Sequence, residues 1–574
     1  MPFFLSPGVN VTEIDLTTIV PAVGTTEGAF VGTFQWGPVN AIVNISNESE
    51  LVNIFGKPDA NSYTSFFTAS NFLSYARNLK LIRAVDSNTA VNATANTGGL
   101  GLLIENRDDY EYNYLDLSAA NSYGMFAARY PGSLGNSLKV SVWAKANSNT
   151  QTFNNDWTYG EEFSGPPGTS DYVAKVAGAN DEMHIIVVDE DGRLTGTSGT
   201  ILEKFAYVSK ASDAKNDDGS SSYYVNVIND RSRYVYVLNQ ATNTSTEAIE
   251  TSTWGLQAAG TTYDQDSDEY TMSLAGGVNG NPTNGNVILA YDKFANAEEV
   301  DISLILTGDH PAVVSEHILE NIAETRKDCV VFISPDRDDV VDNRGFEVDD
   351  TIQKRNVYNS SSYAVMDSNW KYQFDKYNDV YRWLPMNGDI AGLCVRTDFE
   401  RDPWFSPAGF NRGQIKNVVK LAWNPTKANR DDLYKNGLNP IVSFPGEGVV
   451  LFGDKTMLTK PSAFDRINVR RLFIVLEKAI ARASKYSLFE FNDEFTRAQF
   501  VALVEPFLRD VQGRRGIYDF RVVCDTTNNT PEVIDRNEFV GDIYIKPARS
   551  INFIQLNFVA VRTGVAFEEV VGRF

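Results

Sequence analysis

Histidine and cysteine are scarce in this chain, three of each among 574 residues. His184, His310 and His317 are too few and too scattered to supply a mechanism built on paired or triad imidazoles. Cys329, Cys394 and Cys524 are odd in number and far apart, which excludes a disulfide framework or a thiolate zinc site and predicts buried thiols. No run approaches the roughly 18 unbroken apolar residues of a membrane-spanning helix. The opening MPFFLSPGVNVTEID has neither a basic stretch nor a long apolar one, so no secretory signal is read there and the mature chain is expected to start near Met1. Cations are short as well: 51 Lys and Arg stand against 74 Asp and Glu, a net charge of −23. Phosphate contact needs clustered cations, so direct nucleic-acid binding is not expected.

Catalytic and nucleotide motifs are missing too. There is no Gly-x-x-x-x-Gly-Lys-Ser/Thr loop, no GxSxG and no HExxH. The glycine-rich stretch 274–286 has no lysine and reads as having no helix after it, so nucleotide binding is unsupported. Asp264, Asp266 and Asp268 take the first, third and fifth positions of a calcium loop, but Glu269 stands where glycine is needed and Ala275 where the bidentate glutamate belongs. A solvated acidic loop is expected there. Asp336, Asp338 and Asp339 follow a buried strand, as the paired aspartates of phosphohydrolases do, but Ser334-Pro335 displaces them; they are the one acidic centre an enzyme reading could use. Asp309 and His310 lie near His317 with no third ligand, and helix surface is the expectation for both histidines. No nucleophile stands beside a base, so no enzyme, cofactor or metal site is expected.

What the chain does have is ordinary globular material: 43% hydrophobic, 12% aromatic and 22% charged residues. Its length predicts about three to five domains. Charge is uneven: residues 401–574 hold 25 Lys and Arg against 20 Asp and Glu, or +5, which leaves −28 for the rest. The last third therefore faces something different from what the body faces.

Residues 9–14 alternate apolar and polar after Ser6-Pro7-Gly8 and read as a short strand without a hairpin partner. Residues 21–85 are α/β, with a strand and turn at 28–38, a short helix at 47–55, an amphipathic helix at 65–78 and a strand at 80–85. Residues 86–286 are rich in Asn, Ser, Thr, Gly and Asp with β-like runs at 184–192 and 221–230, which predicts one or two all-β insertions. A βαβ unit follows, strand 300–308, helix 311–327 and strand 328–335, so the core resumes there. Further on, Leu472, Val475, Leu476, Ala479, Ile480 and Ala483 form one face of a helix that Asp465 or Ser462 could cap, with Arg470, Arg471, Lys478 and Arg482 over the rest. Asn492 could cap a second helix, with Asp493 and Glu494 in its first turn and a kink or end at Pro506. Residues 550–562 alternate, with Ile554, Leu556, Phe558 and Ala560 on one face of a long strand.

Several phrases of the last third carry a family resemblance. They are PMNGDIAGLCVRTDFERDPWFSPAGFNRGQI at 385–415, DDLYKNGLNPIVSFPGEGVVLFGDKTM at 431–457, RINVRRLFIVLEKAI at 466–480 and FEFND at 489–493. With YPGSLGNSLKV at 130–140, LAGGVNG at 274–280 and VVCDTTNNT at 522–530 they are collinear with, and closely resemble, the contractile tail sheath proteins of long-tailed phages and related injection machines. The resemblance spans nearly the whole chain and is strongest over 385–529.

The resemblance implies a multidomain fold of mixed α/β and α+β type. Residues 1–20 would be an N-terminal arm, 21–87 with 287–400 an interrupted α/β core, 88–286 an outward-facing β-rich insertion, and 401–574 a tube-facing α+β domain ending in an arm at about 550–574. Each arm would add a strand to a neighbour's sheet through Val9, Val11 and Ile14 or through Ile554, Leu556, Phe558 and Val561; pairing within the subunit is the alternative for both. Partners implied are further copies in six-fold rings stacked helically, a tail tube, and baseplate and terminator proteins, with neither direct nucleic-acid contact nor membrane insertion, in a virion tail assembled in the host cytoplasm. Function would be contraction without nucleotide: a metastable extended polymer shortens on baseplate triggering and drives the tube through the host envelope. The basic C-terminal third offers Arg497, Arg509, Arg514 and Arg515 for tube contact, or else for salt bridges within and between sheath subunits. A glycan-binding role for the insertion could coexist with all of this.

Overall fold

The computed structural model describes residues 24–95, 101–115, 123–146, 148–238, 253–265, 269–552 and 554–555. The expected arm residues Val9, Val11, Ile14, Leu556, Phe558 and Val561, and Asp266 and Asp268 of the acidic loop, lie outside these.

The first α/β stretch forms as its pattern predicts. Strands β1 (Gly28–Gly32) and β3 (Leu79–Arg83) are parallel, with β2 (Val43–Ile45) antiparallel to β3. Helix α1 (Glu48–Phe55) begins where the Asn47 side chain accepts from Glu50 N. Helix α2 (Tyr63–Leu73), expected to be amphipathic, is instead buried at every position from Ser65 to Leu73. A helix buried all round needs cover on every side, and part of that cover comes from a helix more than 300 residues later, described below.

The insertion is β-rich without being all-β. Its strands are β4 (Phe126–Ala128), β5 (Leu138–Trp143), β6 (Glu182–Asp189), β7 (Thr200–Ser209), β8 (Val235–Val237) and β9 (Tyr270–Ser273). They make an antiparallel sheet of order β7-β6-β5-β9 and a separate β4-β8 pair. Short helices accompany them among the described residues: α3 (Arg107–Asn113), α4 (Thr150–Asp156), α5 (Asp171–Lys175) and α6 (Tyr224–Arg231). Helix α6 corrects the β reading of 221–230. Tyr223, Val225 and Val227 suggest alternation, but the residues that bury are Tyr224, Val227 and Ile228, spaced three and four apart as on one face of a helix.

After the insertion the chain rejoins the core. Helix α7 (Asn284–Asp292) opens with a capping box between Thr283 and Asn286, so a helix does follow the glycine-rich stretch. The βαβ unit is present: β10 (Leu304–Leu306) and β11 (Val330–Ile333) are parallel, joined by α8 (Ala312–His317), a π-helical turn (Ile318–Ala323) and α9 (Glu324–Arg326). There follow α10 (Arg337–Val340), α11 (Glu347–Val357), β12 (Ala364–Asp367), the hairpin β13 (Trp370–Asp375) and β14 (Val380–Pro385), and α12 (Asn387–Glu400). Next come β15 (Lys420–Leu421), α13 (Lys427–Lys435), β16 (Leu438–Asn439) and the hairpin β17 (Ile441–Phe444) and β18 (Gly448–Leu451).

Among the described residues seven strands form the main sheet, in the order β16-β12-β11-β10-β1-β3-β2. Alternate residues serve its two faces. Phe30, Leu81, Leu306, Phe332 and Val365 join one buried cluster and Val31, Ile82, Ile305, Val331 and Met366 the other, so both faces are covered. Helix α12 packs on α2 so closely that a Cβ at Gly388 would stand 2.5 Å from the Thr68 carbonyl oxygen. Because β16 pairs with β12 in this sheet, residues 407–478 fall in one compact unit with 22–403, and the break expected at residue 401 comes after Lys478.

The second unit comprises, among the described residues, 404–406, 479–552 and 554–555. Helix α14 (Ile467–Ser484) buries the expected face, Leu472 through Ala483. Its neighbours Arg470 and Arg471 are buried rather than solvated. Arg471 binds both oxygens of Asp398, at 2.7 and 2.6 Å, and Arg470 lies 4.0 Å over the Phe464 ring. Ser462 caps only a single turn at Ala463–Asp465. Helix α15 (Glu494–Gly513) is capped by Asp493, which accepts from Thr496 N at 2.8 Å. Asn492 does not cap it; its amide donates to Glu538 O and Asn529 Oδ1. Pro506 lies inside α15 without ending it. Strands β19 (Ile517–Val523) and β20 (Asp542–Pro547), antiparallel and joined through α16 (Pro531–Asp535), complete the unit. No helix among the described residues is long and apolar enough to cross a membrane.

Candidate assembly surfaces

The β19–β20 pair carries α15 on one side, where Phe500, Val504, Leu508 and Val511 are buried together with Ile517. Among the described residues no third strand joins this pair. Two-stranded sheets are marginal alone, and the outer edges of such a pair can template another strand; on β19, Tyr518 O accepts from Gln512 Nε2 at 2.9 Å and Val523 O from Asn528 Nδ2 at 2.8 Å. Tyr518 and Tyr544 on these strands are 65% and 60% exposed, and Ile551 and Ile554 beyond them are 82% and 78% exposed. From the end of α14 through the first turn of α15, Tyr486, Leu488, Phe489, Phe491 and Phe495 all lie in solvent, Phe489 with φ of 71°. Five large apolar side chains exposed within ten residues is the pattern of a surface that another chain covers.

The four basic candidates separate. Arg497 is buried and donates to Asn492 O at 3.2 Å and Asn492 Oδ1 at 2.8 Å, which removes it from any external contact. Arg509 is exposed and approaches Glu505 at 3.8 Å. Arg514 lies 4.9 Å over the Trp404 ring and 3.3 Å from Asp510, and its carbonyl accepts from Trp404 Nε1. Arg515 is exposed and left-handed (φ 67°) just past the end of α15. The buried thiols are as expected: Cys329, Cys394 and Cys524 are free, and burial raises each thiol pKa.

The acidic and histidine candidates among the described residues make contacts within the fold. Asp336 caps α10 and pairs with Lys354 at 2.6 Å, while Asp339 closes the capping box. Burial raises Asp339, and also Asp309, to about 6. His310 is not on a helix surface: it precedes α8, and its Nε2 meets Val31 O at 2.8 Å. His317 ends α8 and pairs with Asp292. Asp264 Oδ2 accepts from Thr253 N. No group of three or more His, Cys, Asp or Glu among the described residues could hold a metal.

A polar network absent from the sequence-based expectations lies at the carboxyl ends of the parallel strands. Ser334 Oγ donates to Asp367 Oδ2 (2.6 Å) and accepts from Asn387 N (2.9 Å). Asn387 Nδ2 donates to Gly308 O at 2.8 Å and Asn387 Oδ1 accepts from Gly308 N. Lys371 and Asp389, both fully buried, pair at 2.9 Å next to the Tyr75 hydroxyl. In open α/β sheets this crevice is where ligands bind; here the start of α12 fills it. Its sequence trace is slight: Ser334 directly after the apolar β11, and Asp367 as the last residue of the otherwise apolar β12.

Comparison with known proteins identifies the family and the fold. Residues 28–84 match the tail sheath protein Gp18 domain III N-terminal region, 280–457 the phage tail sheath protein central domain, and 459–560 the phage tail sheath C-terminal domain. The tail sheath protein of Enterobacteria phage T4 is 35% identical over 99% of each chain, and that of Vibrio phage KVP40 is 34% identical over 99% of this chain and all of that one. Among solved structures, a sheath tail protein from Listeria innocua aligns with a TM-score of 0.51 at 13% identity, covering 92% of this chain and 96% of that one. The anti-feeding prophage helical sheath in its contracted state aligns with a TM-score of 0.50 at 13% identity over 97% and 99%. Full-length identity above a third, matches in chain order and a shared mixed α/β fold lead to one conclusion: this chain belongs to the phage tail sheath protein family, as a structural subunit of a contractile sheath.

Proposed function

We propose that the subunit polymerises as six-fold rings stacked helically around a tail tube in a metastable extended form. On a signal from the baseplate the polymer shortens and drives the tube through the host envelope. The observation that carries this reading is the β19–β20 pair, which no third strand joins among the described residues, beside a run of exposed aromatic side chains. The two arms, 1–20 and about 550–574, supply the missing strands from neighbouring subunits: Val9, Val11 and Ile14 from one, Ile554, Leu556, Phe558 and Val561 from the other. Strand addition commits main-chain groups and alternate side chains only, so linked subunits can rotate without letting go.

No nucleotide or cofactor enters this scheme, and the subunit acts without catalysis; the filled crevice at the sheet's carboxyl edge supports that. An interface gain on the order of 1 kcal/mol per subunit, small beside folding stability, sums over a long polymer into mechanical work. The C-terminal domain faces the tube, touching it through Arg509, Arg514 and Arg515, and the insertion 88–286 points outward. Baseplate and terminator proteins bound the polymer in the virion tail, which assembles in the host cytoplasm. Electron microscopy of the purified chain with its tube tests this: hollow striated tubes are expected, and deletion of residues 1–17 is expected to leave folded monomers. Full-length polymers from the deleted chain would sink the strand exchange.

A further inference from the structure

Lys371 at the start of β13 and Asp389 in the first turn of α12 meet out of solvent, their side chains 0% and 1% exposed. Lys371 Nζ stands 2.9 Å from Asp389 Oδ1 and 2.9 Å from Oδ2. An amine equidistant from both carboxylate oxygens is about 3.3 Å from the carbon between them, the separation of reacting atoms in a near-attack conformer. A turn about the Cβ–Cγ bond of Asp389 presents the face of that carbon to the amine. Among the described residues no aligned hydrogen bond reaches Oδ2, so the carboxylate is poorly compensated for its burial.

Burial works against both charges. It lowers the Lys371 ammonium and raises the Asp389 carboxyl, each by more than the partner's attraction offsets. One proton passing from Nζ to the carboxylate turns the ion pair into a neutral amine beside a neutral acid, with no change in total charge. In water such a pair does not condense, because solvent holds both groups as ions and hydrolyses any amide formed. A dry site that penalises both charges removes these obstacles, and the amide that results is a neutral group that costs less to bury than two ions.

The neighbours match the remaining steps. Tyr75 OH accepts from Lys416 N at 2.7 Å, so its own proton is left to donate, and Asp389 Oδ1 lies 3.4 Å away. Burial raises the Tyr75 phenol, which keeps that proton in place. Lys416 O, 3.2 Å from Nζ, is the acceptor an amide N–H needs afterwards. We propose that Lys371 and Asp389 join in an intramolecular isopeptide bond. Nζ attacks Cγ and the C–N bond forms. One of the two amine protons passes by way of the Tyr75 hydroxyl to Oδ1, which already carries the carboxyl proton. The Cγ–Oδ1 bond then breaks and Oδ1 leaves as water. Nothing is oxidised or reduced, and no co-reactant is needed. The bond ties β13 to the start of α12, which suits a subunit of a contractile sheath.

Mass spectrometry of the purified full-length chain under denaturing conditions tests this. The chain is expected to be lighter by one water, about 18 Da, than the unlinked sequence. Trypsin is expected to release residues 356–376 and 383–396 as one branched peptide. Lys371→Met and Asp389→Ala are each expected to restore the full mass. Tyr75→Phe keeps the ring without the proton donor and is expected to slow the appearance of the branched peptide after synthesis about a hundredfold; an unchanged rate would remove Tyr75 from the proton transfer. A parent chain at its full mass overturns the proposal, and so does one lighter by a water but without the branched peptide. The parent chain decides this by itself, whether or not the variants fold.

Discussion

The Ser334 hydroxyl donates to Asp367 Oδ2 across 2.6 Å, joining the carboxyl ends of two adjacent parallel strands, and Asn387 closes the same spot from the start of α12. The place where an α/β sheet would receive a ligand is thus satisfied by the chain's own side chains, and stiffness there serves a subunit that must transmit force.

Asp367 should make stability depend on pH. Burial pushes its carboxyl up to about 7, above the ordinary value of about 3.9. The folded chain therefore binds this proton more tightly than the unfolded chain, and the stability this contributes is present at low pH and lost as pH rises from about 4 through 7. At about 1.4 kcal/mol per pKa unit the loss amounts to a few kcal/mol. Melting profiles of Asp367→Asn across this window should be flatter than those of the parent; parallel profiles would show that Asp367 is not the group responsible.

Gly388→Ala should destabilise the core unit by about 1–3 kcal/mol, since the added methyl meets the Thr68 carbonyl 2.5 Å away and one helix must shift. Gly513→Ala is the control. A Cβ there meets nothing within 4 Å, and the change should be neutral or stabilise α15 by up to about 1 kcal/mol. Chemical denaturation of the two variants compares them directly.

Phe489 and Phe491 lie on the surface without local packing, so Phe489→Ser with Phe491→Ser should alter folding stability by no more than about 0.5 kcal/mol. The same pair should raise the protein concentration at which sedimentation first detects polymers. An unchanged threshold would mean that these rings are not an assembly contact.

Arg497 and Arg509 should behave oppositely. Arg497→Ala removes a buried guanidinium together with its two hydrogen bonds to the half-buried Asn492 and should cost about 1–3 kcal/mol of stability. Arg509→Glu should leave folding intact and weaken tube-bound assembly, most clearly at low salt, where exposed charges are least screened. Tube co-sedimentation across a salt series reads the second effect, and a salt-independent result would remove Arg509 from the tube contact.

Much of the fold was legible because it is written in local periodicity. The βαβ unit at β10–β11 and the buried face of α14 need only apolar residues at the right spacing. Where two periods fit the same residues, as with Tyr223 to Ile228, the pattern was ambiguous and packing chose the helix. The cap of α15 moved by one residue because Asn492 found better partners in Asn529 and Glu538.

By itself the sequence determined that this is a large multidomain chain without motif-based chemistry, acidic in its body and basic at its end, and collinear with the sheath family. Those properties reside in composition, spacing and order, which survive without coordinates. Tertiary structure alone decided that Arg470, Arg471 and Arg497 are buried, that β16 joins the main sheet, and that Asn387 fills the crevice between strands. Each of the last two depends on contacts between residues far apart in the chain, Ser334 with Asn387 and Met366 with Leu438. No local pattern records such a meeting, because only the closed fold brings the partners within bonding distance.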